Sequence, residues 1–215
     1  MKKLIFALAL FTGLSQAFAQ QSDEDYRKVI YGRSETIVKS LDIQDKVKYD
    51  FILELIANQY IDLGVINDAF AAKENEIKAS SLPDEEKTQA KDLAYLKQRE
   101  ALTVKHFYFV NQLNANLSPE QVEKVKDGMT MGVYPVTYKA HLEMIPSLTE
   151  EEKTYIRAAL MEAREYAMDC SDSKAKHAWF GKYKGRINNY LSKRGYNLTK
   201  EREAWNERIK ASQAK

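Results

Sequence analysis

The chain has 215 residues, 44% of them hydrophobic and 30% charged, with 33 Lys and Arg against 31 Asp and Glu. That length is enough to bury a real core, and a chain so nearly neutral overall is not built for non-specific nucleic-acid binding. Cys170 is the only cysteine, which excludes an internal disulfide and leaves stability to core packing.

The N-terminus has the three parts of a secretory leader. Lys2 and Lys3 precede an apolar run over residues 4–14, and Ala17-Phe18-Ala19 offers a small-x-small cleavage site. The run is shorter than the roughly 20 residues that span a bilayer. Residues 1–19 are therefore expected to be a signal peptide of Gram-negative type, cut after Ala19. Residues 20–215 are expected to form a single helical domain, periplasmic or secreted, with no membrane span after cleavage. No Cys follows the apolar run, which argues against a lipid anchor. Removing the leader takes two lysines and no acid, leaving 31 charges of each sign. Residues 171–215 hold 12 basic and 4 acidic side chains, so the basic end is expected to pack against the acidic remainder, with a basic face that meets an anionic partner as the alternative.

Beyond the leader, apolar residues recur with the helical period and no hairpin signal interrupts them. A first helix is expected over 23–40, with Tyr26, Val29, Ile30, Ile37 and Val38 as its inward stripe. A long second helix follows over 44–78, strongly apolar between Phe51 and Phe70. The third spans 84–115 and turns Leu93, Leu96, Leu102, Phe107, Phe109 and Val110 inward. A short fourth helix, 119–127, starts at Ser118 with Pro119 at its first position and Gln121 completing a capping box. Asp127-Gly128 reads as its end, with Gly128 beyond the cap. Residues 129–146 are expected to be irregular, broken by Gly132, Pro135 and Pro146, with one short helix near 136–143. Thr149 and Glu152 form a second capping box for a helix over 150–168. The last two helices cover 174–193 and 200–212. The fold class is thus all-α: an antiparallel bundle of seven to eight helices, two of them long, with one irregular segment near 129–146.

Chemistry has few places to reside. No nucleophile elbow, zinc-binding His-Glu pair, phosphate loop or dinucleotide fingerprint is present, so no catalytic residue, metal ligand or cofactor is assigned. Two segments stand out. The first holds Tyr134, Thr137 and Tyr138 within the irregular stretch, where backbone polar groups need outside partners. The second runs from His177 to Leu191. There Phe180, Ile187 and Leu191 share the core direction, Trp179, Tyr183 and Tyr190 lie along one flank, and Gly181-x-x-x-Gly185 leaves a notch. A mid-helix glycine costs about 1 kcal/mol relative to alanine, so the notch is expected to admit another helix, with a ligand as the alternative. Aromatic rings beside amides and cations suit a carbohydrate, because rings cover the apolar face of a sugar while polar groups bind its hydroxyls. The ligand-binding candidates are Tyr134, Thr137, Tyr138, His177, Trp179, Lys184, Arg186, Asn188 and Tyr190.

The strings Val122-Glu123-Lys124-Val125-Lys126-Asp127-Gly128-Met129-Thr130, Pro135-Val136-Thr137-Tyr138-Lys139, and His177 through Tyr190 resemble those of the family called domain of unknown function 3826. Its members are exported bacterial helical proteins described as candidate sugar-binding proteins. The resemblance covers nearly the whole chain after the leader and is strongest over 117–198. It implies a helical fold, export and a carbohydrate partner, and it brings no assigned site residues. The expected function is a non-catalytic carbohydrate-binding role in glycan uptake or degradation. The alternative is a helical interaction protein, a chaperone or stress sensor, whose partner is another envelope protein. An enzyme is the third reading.

Overall fold

The computed structural model describes residues 24–213, and the expected signal peptide, residues 1–19, lies outside them. The described residues form eight helices and no strand, so the chain is all-α. They are α1 over 24–39, α2 Lys46–Ala79, α3 Asp84–Asn116, α4 Pro119–Met129, α5 Val133–Met144, α6 Glu150–Met168, α7 Ser173–Lys193 and α8 Leu198–Gln213.

Local chemistry sets the helix starts. Asp45 accepts from the backbone N–H groups of Val47 and Lys48 to cap α2. Three acids, Asp84, Glu85 and Glu86, occupy the first turn of α3, where the helix dipole favours negative charge. The capping boxes of Ser118 with Gln121 and Thr149 with Glu152 are both formed. Asp172 caps α7 by accepting from the N–H of Ala175.

Two apolar cores result. The first collects Ile37, Val38 and Leu41 from α1 and its exit, Ile52, Ile56 and Tyr60 from α2, Phe109 and Leu113 from α3, and Val122, Val125 and Met129 from α4. The second collects Ile156, Leu160, Ala163 and Ala167 from α6 with Phe180, Tyr183, Ile187 and Leu191 from α7, and α5 packs on it through Tyr134, Tyr138 and Leu142. Helix α6 ties the cores together, because Met168 reaches into the first and α6 packs on α4. Among the described residues, no helix is long and apolar enough to cross a membrane.

The structure corrects the sequence reading in four places. Residues 129–146 are mostly helix: only Thr130, Met131 and Gly132 break the chain before α5. Pro135 is the third residue of α5, and the first four N–H groups of a helix have no intrahelical acceptor, so the proline removes no bond. Next, α4 runs on to Met129, and the left-handed residues are Met131 and Gly132, at φ 58° and 64°. Gly132 N–H donates to the Asp127 carbonyl at 2.8 Å, closing the helix end. Gly128 has another reason to be glycine: a Cβ there would lie 2.8 Å from Ile37 Cγ1, so it lets α1 and α4 approach.

The third correction concerns inward stripes. Tyr26, Val29, Phe51, Leu93, Leu96 and Phe107 are exposed. Beyond Leu63, α2 buries only Ile77, and α3 buries nothing before Leu102. The far halves of these two helices thus form a two-helix arm, and a pair of helices can hide only one face of each. The fourth concerns the Gly181–Gly185 notch. A Cβ at either glycine would meet nothing within 4 Å, so no described helix fills it.

Candidate functional site

A cavity of about 840 Å³ lies where α1, the middle of α2, the end of α4 and the start of α7 meet. Arg33, Thr36 and Ser40 line it from α1 and its exit, Tyr60 from α2, Met129 and Met131 from the α4 exit, and Ser171, Ser173 and Lys176 from the start of α7.

Lys176 is the unusual member. In α7 it precedes Phe180, Tyr183, Ile187 and Leu191 on the buried stripe, so helical register drives a cation inward. Its residue is only 5% exposed. The ammonium donates to the Met129 carbonyl at 2.8 Å, one of the last α4 carbonyls, which lack intrahelical donors and sit at the negative end of the dipole. It also lies 5.2 Å from the centre of the Tyr60 ring, within cation–π range. Among the described residues, no carboxylate stands within ion-pair distance of it. Burial pushes the amine down to about 8, with Arg33 adding to the effect and Cys170, Asp169 and Asp172 opposing it. Burial also pushes the Tyr60 phenol up to about 12 and raises the Cys170 thiol. The cleft therefore holds two cations, Arg33 and Lys176, against one lining carboxylate, Asp172, which already accepts from the start of α7. Such a site favours a ligand with hydroxyls, an apolar face and a negative charge.

A second polar cluster stitches α3, α4 and α6 together. Arg164 is fully buried and donates to Asp127 and Glu123, each at 2.7 Å. Glu165 pairs with Lys126 at 2.9 Å and with His106 at 3.5 Å, and His106 also meets Asp169 at 3.1 Å. The hydrogen bonds to Asp169 and Glu165 push His106 up to about 9. Burial raises Glu165, but the bonds from His106 and Lys126 prevail and hold it at about 2. The cations and acids of this cluster answer one another, and its role is to join the two cores. Among the described residues, no group of three His, Cys, Asp or Glu is placed to hold a metal ion.

None of the nine candidates from the sequence lines the cleft. Their aromatic rings divide between two sides of α6. Tyr134 lies under Arg164, 5.0 Å from ring centre to guanidinium, and stacks with Tyr138 at 6.2 Å. Trp179 lies flat on Tyr166 at 4.5 Å, and Tyr190 on Tyr155 at 3.8 Å. Arg164 follows Tyr155 by nine residues, which at roughly 100° per residue is half a turn out of phase. The α5 rings and the α7 rings therefore sit on opposite faces of α6. Arg186 covers Tyr183 at 4.4 Å. Lys184 lies on the other flank of α7; burial lowers His141, the Thr137 carbonyl opposes this, and the Lys184 charge adds to the lowering. His177 meets the Ser173 carbonyl through Nδ1 at 2.8 Å, Asn188 is exposed, and the Thr137 carbonyl accepts from His141 Nδ1 at 2.8 Å.

The sequence reading missed Arg33, Tyr60 and Lys176. For Lys176 a signal existed: a lysine four residues before Phe180 falls on the core-facing register. Nothing local marks Arg33 or Tyr60, which meet α7 only through the tertiary fold.

A family model described as "Protein of unknown function (DUF3826)" matches residues 27–211, and the chain belongs to that family. No curated protein matches the chain.

Proposed function

We propose that this member of the family is an exported, non-catalytic carbohydrate-binding protein, and that the cleft between α1, α2 and the start of α7 takes a sugar bearing a carboxylate. One observation carries the reading: Lys176 is a buried cation that lines the cleft and has no carboxylate at ion-pair distance among the described residues. A buried charge is costly until it is paired, and an acidic sugar brings the missing counter-charge. Arg33 can meet the same carboxylate with a two-pronged donor set. Thr36, Ser40, Ser171 and Ser173 exchange hydrogen bonds with sugar hydroxyls, and Tyr60 with Met129 and Met131 provides the apolar wall.

The α7 rings suit that role less well. Trp179 already carries Tyr166 and the Lys182 ammonium over its ring, and Tyr190 carries Tyr155 and Arg194. Calorimetric titration with short uronate-containing oligosaccharides and their neutral counterparts tests the proposal. The acidic ligands bind, the neutral ones bind more weakly, and Lys176→Met abolishes the difference. Absence of heat with every sugar at millimolar concentration sinks it.

A further inference from the structure

Helix α3 carries a second apolar stripe that its own fold leaves uncovered. The inner stripe, Leu102, Phe109 and Leu113, is buried. Leu93, Leu96, Val104 and Phe107 fall about half a turn away at roughly 100° per residue, and they are 54%, 62%, 63% and 62% exposed. Tyr108 flanks them at 58%. From Leu93 to Phe107 the stripe runs about 21 Å at 1.5 Å per residue. Beside it, a groove of about 340 Å³ opens between α2 and α3, walled by Val65, Ile66, Ala69, Phe70, Ala94 and Ala101. Exposed apolar side chains grouped on one face of a helix in this way mark an interaction surface.

The pattern of the stripe names its occupant. Only Lys97 and Glu100 place charge near its middle. Two copies of α3 laid antiparallel about an axis between Gln98 and Arg99 bring Lys97 of each against Glu100 of the other. The same register sets Leu93 against Val104, with Leu96 and Phe107 along the edge of the seam. Every pair occurs twice, as a two-fold interface demands, and the central opposite charges fix the register as polar pairs do between helices. We propose that the outer face of α3 is a homodimer interface, with a second copy of this chain packed antiparallel on it. No residue of α3 lines the cleft around Lys176, so the inference stands apart from the ligand reading.

Sedimentation equilibrium of the purified exported protein, from low to several hundred micromolar, tests this. A monomer–dimer equilibrium is expected. Leu96→Glu, whose side chain is exposed and whose variant keeps the helical circular dichroism, weakens dimerisation at least about tenfold, because it buries an unpaired charge. Glu100→Lys opposes lysine to lysine and weakens it similarly, while Lys97→Glu combined with Glu100→Lys restores it. A monomer mass at the highest concentration overturns the inference. So does a double variant as weak as Glu100→Lys alone, or a monomer that slows aggregation of an unfolded client.

Discussion

Replacing Lys176 with methionine should make the protein more stable at neutral pH while emptying its cleft of function. Burial takes the amine from an ordinary 10.5 to about 8. At about 1.4 kcal/mol per pH unit, folding disfavours the charged form by about 3 kcal/mol. Methionine keeps the stem and removes the charge, but it leaves the Met129 carbonyl without its donor, a loss of about 1 kcal/mol. The expected net gain at pH 7 is about 2 kcal/mol. Its pH dependence has a definite sign. Between pH 8 and 10.5 the unfolded chain holds a proton on this lysine that the folded chain has shed, so the parent protein gains stability as pH rises through that window. The variant lacks the rise, and its advantage shrinks from pH 8 upward. Arg33, Asp169, Asp172 and Cys170 act on the same amine and are common to both proteins, so the difference isolates Lys176. Urea unfolding at pH 7, 8 and 9 measures it. A variant that is less stable at pH 7 by 2 kcal/mol or more, with no pH dependence in the difference, would refute the view of Lys176 as an unpaired buried cation.

Three other substitutions probe the frame around the site. Arg164→Leu leaves Asp127 and Glu123 without their buried partner and should lower stability by about 3–5 kcal/mol, read as a fall in the urea midpoint. His106→Gln removes a cation whose pKa is raised to about 9 in the folded protein; the stability it gives is full below about pH 6.5 and is lost as pH rises through 9, so the variant's deficit should be largest near pH 6 and small near pH 10. The glycines should divide by environment: Gly128→Ala drives a Cβ onto Ile37 and costs about 1–3 kcal/mol, whereas Gly181→Ala and Gly185→Ala meet open space and stabilise α7 by up to about 1 kcal/mol each. Thermal melts separate the two classes, and a destabilising Gly181→Ala would mean that something does pack against the notch.

Helix positions were legible because their determinants are local. The capping boxes at Ser118 and Thr149 and the buried register of Phe180, Ile187 and Leu191 can each be read within a few residues. The pattern failed where the partner decides. Leu96 and Phe107 have the right period for a core, yet α2 covers only one face of α3, and period alone cannot choose between two apolar stripes. Proline and glycine between 129 and 146 suggested a broken chain, but Pro135 falls in the first turn, where it is harmless. The cleft is a product of tertiary assembly: Arg33, Tyr60 and Lys176 are far apart in sequence, and only the charge of Lys176 on an apolar register hinted at it. The aromatic segments drew attention for their composition, and their rings turn out to lie largely against one another.

The most direct test of the account is the change in protonation when an acidic sugar enters the cleft. Calorimetric titration at pH 8, repeated in buffers of different ionisation enthalpy, reads it. The account predicts proton uptake, because a carboxylate beside Lys176 raises an amine that is half neutral near pH 8, and predicts that Lys176→Met removes both the uptake and most of the affinity. Binding of an acidic sugar with no buffer-dependent heat, and unchanged in Lys176→Met, would contradict it.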